Sequence, residues 1–176
     1  DREIVGNYLP KFTYGFATSA EYKGIDLSVA LQGVYGNKIL NLSRRYFANK
    51  EGNMNNMISS LDRWISESNP GSGQDVRANR VAKGSNGTTS TWHIEDGSYL
   101  RIRNIALGYT FPSDLVKKMY LSKLRLYVSA QNPFTFTKYT GYNPEVTNRS
   151  AATTNGEDYG VYPTSRTISI GVNITL

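Results

Sequence analysis

The chain has 176 residues, a formal net charge of +6 at pH 7 and no cysteine. The absence of cysteine excludes disulfides, thiolate metal sites and thiol nucleophiles, and no apolar run approaches the ~18 residues that a membrane helix needs. A basic chain could bind nucleic acid, but the cations fall mostly at predicted strand ends and in loops, so we predict no nucleic-acid partner. These cations include Arg44, Arg45, Lys117, Lys118 and Lys123.

Residues 11–22 and 24–35 alternate with a period of two, which predicts two β-strands joined by a tight hairpin. In each strand one face is large and apolar, and the other is small and polar. The apolar set comprises Phe12, Tyr14, Phe16, Ile25, Leu27, Val29 and Leu31.

Residues 36–96 lose this period and form a predicted long loop. Apolar residues from Ile39 to Ile65, with Met54 and Met57 among them, recur at helical spacing. The spacing predicts one or two short helices, which end at the breaker residues 69–73.

The strand predicted over residues 98–111 carries the clearest signal. Its apolar positions are Ile105, Leu107, Tyr109 and Phe111, and small or polar residues lie between them. A soluble sandwich would bury its apolar face and carry charge outside, whereas here the apolar face lacks charge and the opposite face suits water. That combination is typical of a membrane β-barrel. By parity, Arg101 and Arg103 share the apolar face with Ile105, and we expect them near the outer rim.

A short helical turn from Ser113, its predicted N-cap, to Lys118 follows this strand. Further strands are predicted over residues 123–132 and 166–176, with a loop over residues 133–165 between them. The connections are therefore short, long, short and long. Transmembrane barrels have short periplasmic turns and long extracellular loops, so with a periplasmic C-terminus both long loops would be extracellular.

Acidic neighbours occur at residues 95–96 and 157–158, and His93 is the single histidine. No spacing among them suits a glycosidase pair, a metal site or a catalytic triad. We expect the acids to be solvated loop residues, and we predict no catalytic, cofactor or metal site and no enzyme activity.

Aromatic residues in the two long loops are the candidate contacts for a substrate or a covering lid, because flat rings stack on sugars and pack against apolar groups. The alternative is packing within and between the loops. The candidates are Trp64, Trp92, Tyr139, Tyr142, Tyr159 and Tyr162.

Four runs carry a family resemblance: DREIVGNYLPKFTYGF at the start, DGSYLRIRNIALGYTFP, LRLYVSAQNPFTFTKYTGYNPEV, and YPTSRTISIGVNITL at the end. Together they resemble the C-terminal part of a SusC/RagA-type TonB-dependent outer-membrane transporter of the Bacteroidetes. The resemblance implies an all-β fold, comprising the last ~5 antiparallel strands of a ~22-stranded transmembrane β-barrel with short helices in its long extracellular loops. An open sheet of so few strands would leave backbone groups unsatisfied in lipid, so we expect a fragment of a longer chain, or a barrel completed by other chains.

The resemblance also implies function and partners. The same transporter would contain a plug domain, which is absent from this chain. It would also contain an upstream segment that contacts the TonB complex. A SusD-like surface lipoprotein would cap it, and outer-membrane lipid would surround it. The cargo would be an oligosaccharide or a peptide. The alternative reading is a soluble all-β carbohydrate-binding module whose apolar faces meet across a sandwich.

Overall fold

The computed structural model describes residues 2–52, 55–79, 84, 86–146 and 155–176. The other positions, which include Met54 and parts of both predicted loops, lie outside the described residues. The chain divides into two compact units. A sheet unit contains residues 10–36, 97–138 and 163–176, and a loop unit contains residues 1–9, 37–96 and 139–162.

The strands and helices are, in chain order, β1 (Phe12–Tyr22), β2 (Ile25–Tyr35), β3 (Lys38–Asn41), α1 (Arg44–Phe47), β4 (Ile94–Asp96), β5 (Tyr99–Thr110), α2 (Ser113–Lys117), β6 (Lys123–Thr137), β7 (Glu157–Asp158) and β8 (Thr167–Thr175). Five of these strands form one sheet in the order β1-β2-β5-β6-β8, and every neighbouring pair in it is antiparallel. The predicted fold class, five antiparallel strands with short helices between them, is confirmed.

The register of the sheet separates apolar and polar residues into alternate rows that run across all five strands. Residues directly opposite each other point to the same face of the sheet. One row consists of Ala20, Leu27, Leu107, Val128 and Ile170. The next row, on the other face, consists of Ser19, Ser28, Ala106, Ser129 and Ser169. The sheet therefore has one continuous apolar face and one continuous polar face.

Aromatic residues mark both ends of the apolar face. Near the tight turns lie Tyr22, Tyr109 and Phe111, and near the long connections lie Phe12, Tyr14, Phe16, Tyr35, Phe134 and Phe136. The row of Tyr22 and the row of Phe12 are 10 residues apart along β1. At ~3.3 Å per residue and a tilt of ~40°, this spacing corresponds to about 25 Å, the height of the apolar band of a membrane barrel between its aromatic girdles.

A β-bulge at Arg103 overturns the expectation that Arg101 lies on the apolar face. On β2, Ala30 pairs with Asn104 and Leu31 pairs with Ile102, so Arg103 is an extra residue in β5. An extra residue reverses the parity of the strand beyond it. Arg101 therefore lies on the polar face, where it is 2% exposed and its Nε donates to Thr135 Oγ1 at 2.9 Å.

The same bulge explains why β6 continues to Thr137 instead of ending at residue 132. Gln131 pairs with Asn104 and Phe134 pairs with Ile102, so Asn132 and Pro133 stand opposite Arg103. Asn132 adopts a φ of 48°. Proline is tolerated in a strand at a bulge because no ladder hydrogen bond is lost there, so Pro133 does not end the strand as the sequence suggested.

The loop unit contains a second sheet that the sequence did not predict. β3 pairs with β4 in antiparallel orientation and with β7 in parallel orientation. Ile39, which was assigned to a helix by its spacing, belongs to β3 and is 1% exposed. Among the described residues of this stretch, the helical prediction holds for α1 and for a 3-10 turn over Ile58–Asp62. Local spacing failed here because the partners of β3 lie about 55 and 117 residues away in sequence.

Two smaller features complete the fold. The N-cap of α2 is Pro112, and Ser113 is the first helical residue instead of the predicted cap. Among the described residues, no helix is long and apolar enough to span a membrane.

The β1–β2 turn depends on Gly24. Lys23 and Gly24 have φ values of 49° and 82°, as a type I′ turn requires. A Cβ at Gly24 would lie 2.6 Å from the carbonyl oxygen of Thr110 on the neighbouring strand.

We therefore expect Gly24→Ala to destabilise the full-length protein that contains this chain by about 1–2 kcal/mol. Urea unfolding in detergent micelles, followed by the heat-dependent gel mobility of folded barrels, measures the change. Lys23→Asn is the matched control and should be neutral or stabilising, because Asn-Gly is the preferred pair in this turn. Equal stability of the wild type and Gly24→Ala would show that the turn is not constrained as described.

Candidate binding cleft

Glu95 on β4 holds together three segments of the loop unit. Its Oε1 accepts hydrogen bonds from Asn41 Nδ2 and Thr140 Oγ1, both at 2.8 Å. Its Oε2 accepts one from the backbone N–H of Thr140 at 2.8 Å. Arg44 Nη1 lies 3.6 Å from Oε1. The carboxylate therefore joins β3, α1 and the segment that follows β6.

Arg44 is fixed on its other side by Trp92. The guanidinium lies 4.3 Å from the centre of the indole ring, and Arg44 Nη1 donates to the Trp92 carbonyl oxygen at 2.5 Å. The indole Nε1 in turn donates to the Gln74 carbonyl oxygen at 3.0 Å. Because guanidinium stacking on an aromatic ring is directional, this arrangement orients both side chains.

A second buried carboxylate, Asp158 on β7, anchors the last part of the loop unit. Its Oδ1 accepts the backbone N–H groups of Gly160 and Val161 at 2.7 and 2.8 Å. Its Oδ2 accepts the hydroxyl of the buried Tyr139. Burial, followed by the hydrogen bond to the Asp158 carboxylate, raises the pKa of Tyr139 well above its ordinary value. Tyr139 is therefore a neutral donor at every physiological pH.

These contacts surround a cleft of about 350 Å³ within the loop unit. Its apolar walls include Phe47, Ala48, Met57 and Tyr142. Its polar lining includes Asn41, Arg44, Asp75 and Thr140. Asp75 is neutralised by Lys50, whose Nζ lies 2.6 Å from Asp75 Oδ1, with both side chains almost fully buried. The two charged side chains of the lining, Arg44 and Asp75, are thus already paired.

The six aromatic candidates from the sequence fall into four groups. Tyr142 lines the cleft and is 68% exposed. Tyr159 and Tyr162 are exposed elsewhere on the loop unit. Trp64 is half-buried with Arg77 5.5 Å from its ring. The remaining two, Trp92 and Tyr139, are held by the contacts described above, and the burial of Tyr139 removes it from the candidates for ligand contact.

Sequence reasoning missed Phe47 and assigned Met57 to a predicted short helix. Both line the cleft, and both are about half exposed, at 45% and 57%. The sequence signal for such a wall was the presence of large apolar residues in a polar loop. Helical spacing offered a simpler explanation for Met57.

The expectation that the loop acids are solvated was wrong for Glu95 and Asp158. The Glu95 side chain is 10% exposed and Asp158 is 1% exposed. Both act as acceptors for several donors, which satisfies the rule that buried charges are paired. His93 is also fully buried, and burial, followed by the charges of Arg45 and Arg44, lowers its pKa. Among the described residues no cluster of three or more histidine or acidic groups could hold a metal ion.

Tyr139→Phe in the full-length protein should loosen the loop unit locally. The ring remains, but Asp158 loses its hydroxyl donor at a cost of about 1–3 kcal/mol. Hydrogen exchange should therefore become faster, by roughly tenfold or more, at the amides of Leu42 and Ser43, which donate to the Asp158 carbonyl oxygen, and at Gly160. Tyr162→Phe, at an exposed hydroxyl, is the control. Unchanged exchange in Tyr139→Phe would mean that the hydrogen bond does not hold this region.

The chain is similar in sequence to curated TonB-dependent receptors. It is 36% identical over 99% of its length to TonB-dependent receptor P3 of Formosa agariphila, of which it covers 17%. It is 29% identical over 91% of its length to the TonB-dependent receptor SusC of Bacteroides thetaiotaomicron, of which it covers 14%. No family model matches the chain. The chain thus spans about a sixth of the length of the curated relatives it matches.

Solved structures show the same relationship. A chain of the RagAB peptide importer in its open-open state superimposes with a TM-score of 0.77 at 26% identity, over 98% of this chain and 18% of that one. The closed-closed state gives a TM-score of 0.75 with the same coverage. Sequence and fold therefore agree with the apolar and polar faces of the sheet: the chain is homologous to a segment of TonB-dependent receptors, SusC among them, which are β-barrel proteins of the outer membrane.

Proposed function

We propose that this chain forms part of the wall and the external loops of an active outer-membrane importer of oligomeric nutrients. The observation that carries the proposal is the division of the five-stranded sheet into a continuous apolar face and a continuous polar face. A barrel wall needs this division, because lipid contacts one side and a water-filled lumen contacts the other.

The remaining parts of the importer lie outside this chain. The edge strands β1 and β8 leave one side of their backbone groups for further strands, and the remainder of the barrel would satisfy them, since open sheet edges do not occur in lipid. A plug inside the barrel, and an upstream segment that contacts the TonB complex, would couple transport to energy. We expect no nucleic-acid partner.

A SusD-like surface lipoprotein is the expected partner at the external end. The similar solved structures are of RagAB, described as a peptide importer and as a peptide transporter. The loop unit of this chain comprises most of the two long connections, between β2 and β5 and between β6 and β8. Long connections of transmembrane barrels are extracellular. The cargo would be an oligosaccharide or a peptide.

Within this function the cleft would contact the cargo or the covering lipoprotein through apolar surface. Phe47, Met57 and Tyr142 supply that surface, while Arg44, Asp75 and Glu95 are committed to internal pairs. An aromatic and methionine-rich wall suits the apolar face of a sugar ring or an apolar peptide side chain equally well. The exposed Tyr159, Tyr162 and the half-buried Trp64 remain candidates for further contacts, and Trp92 would act by orienting Arg44.

A soluble carbohydrate-binding module is not favoured by the structure of the sheet. Its apolar face leaves Ile168 and Ile170 67% and 85% exposed. A soluble domain rarely presents a contiguous apolar surface of that kind to water.

Phe47→Ala with Tyr142→Ala should reduce import by the full-length receptor. Loss of two large apolar contacts is expected to lower the apparent affinity for cargo roughly tenfold or more. Energised uptake of labelled oligosaccharide and peptide mixtures by cells that carry the variant, compared with cells lacking TonB, measures the effect. Ile58→Ala is the matched control, because Ile58 is 85% exposed and does not line the cleft.

Two outcomes separate the parts of this proposal. Uptake that persists without TonB would contradict active import itself. If uptake requires TonB but is equal in the double variant and in Ile58→Ala, the import proposal stands and a role for the cleft is excluded.

A further inference from the structure

The turn between β5 and β6 is a compact structure with one buried anchor. Val116 in α2 is 1% exposed. Its carbonyl oxygen accepts the N–H groups of Met119 and Leu121 at 2.9 and 3.3 Å, and Tyr120 N–H donates to the Lys117 carbonyl oxygen at 3.0 Å. These bonds close the end of α2 and fix the direction in which the following residues project.

The turn exposes apolar side chains around that anchor. Leu115 is 55% exposed, Met119 is 60% exposed and Tyr120 is 93% exposed. Tyr120 has a φ of 58°, which non-glycine residues seldom adopt. Tyr22 in the neighbouring hairpin, at the same end of the sheet, is 70% exposed. Four large side chains are therefore presented at this end, next to the aromatic band of the apolar face.

Lysines surround these exposed side chains. Lys117 and Lys118 lie in and after α2, and Lys23 lies in the first hairpin with its Nζ 5.1 Å from the Tyr22 ring. Lys123, at the start of β6, shares the polar-face parity of Arg125 and is not part of this group.

The acids at this end do not cancel that charge. Asp26 is bound by Arg125 at 2.8 and 2.5 Å, and Glu21 shares the polar-face row of Asp26. Asp114 in the first turn of α2 is the remaining acid. The exposed turn surface that carries Lys23, Lys117 and Lys118 is therefore basic.

We propose that this basic turn surface, formed by Lys23, Leu115, Lys117, Lys118, Met119 and Tyr120, binds phospholipids with anionic headgroups. Short turns of outer-membrane barrels are periplasmic, so the surface would lie at the phospholipid leaflet. The surface continues the lipid-facing apolar band, which ends at Phe111 and Tyr109 beside it. Exposed apolar and aromatic groups enter the headgroup region while lysines pair with lipid phosphates.

Native mass spectrometry of the full-length receptor tests the inference. The protein is titrated with phosphatidylglycerol and, separately, with phosphatidylcholine, and the retained lipid is counted. Each lysine near an anionic membrane surface contributes about fivefold to binding. Lys117→Gln with Lys118→Gln should therefore reduce the preference for phosphatidylglycerol by roughly 25-fold. Lys11→Gln with Lys138→Gln, at exposed lysines near the opposite end of the sheet, should leave it unchanged.

Two results would overturn the inference. One is a wild-type receptor that retains both lipids equally, which would assign this surface to a protein contact or to water. The other is an equal loss in the two double variants, which would assign the preference to net charge. Leu115→Ser with Met119→Ser provides an independent check, because it should weaken retention of both lipids together. TonB-dependent uptake should persist in the lysine variants, so failure here and failure of the import proposal are distinguishable.

Discussion

The register of the five-stranded sheet is the constraint on which the rest of the structure depends. Backbone hydrogen bonds align five strands so that serines and alanine form one row and aliphatic residues form the next across the whole width. A slip of one residue in any strand would move its apolar side chains to the polar face. The one place where the register does shift, at Arg103, restores the separation of faces by placing the charged Arg101 on the polar side.

The loop unit is organised by a different interaction, the burial of two carboxylates among several hydrogen-bond donors. Glu95 joins residues more than 40 positions apart, and Asp158 collects backbone amides and the Tyr139 hydroxyl. Buried carboxylates are costly unless they are fully hydrogen-bonded, so each holds its donors in a defined arrangement. The contacts of Glu95 hold Asn41, Arg44 and Thr140, which line the cleft, and Phe47, Met57 and Tyr142 are exposed in the same lining.

Much of the sheet could be predicted because a two-residue period is a local property of the sequence. The alternation in residues 166–176 or around Leu107 needs no knowledge of the partner strand. The cleft could be predicted only in part. Tyr142 was chosen as a loop aromatic, but Tyr139 was chosen for the same reason and is buried against Asp158. Residue type alone does not distinguish a ring that faces solvent from one that closes a hydrogen bond.

By itself the sequence determined the class of fold, the existence of two chemically different sheet faces, and the membrane environment that those faces require. Only the tertiary structure decided which face Arg101 occupies, that β6 passes through Pro133, that Ile39 belongs to a strand, and that Glu95 and Asp158 are buried anchors. The physical reason is the range of the interactions. Alternation is encoded between neighbours, whereas a bulge, a parallel strand pair or a buried carboxylate is defined by partners dozens of residues away, whose positions no local pattern specifies.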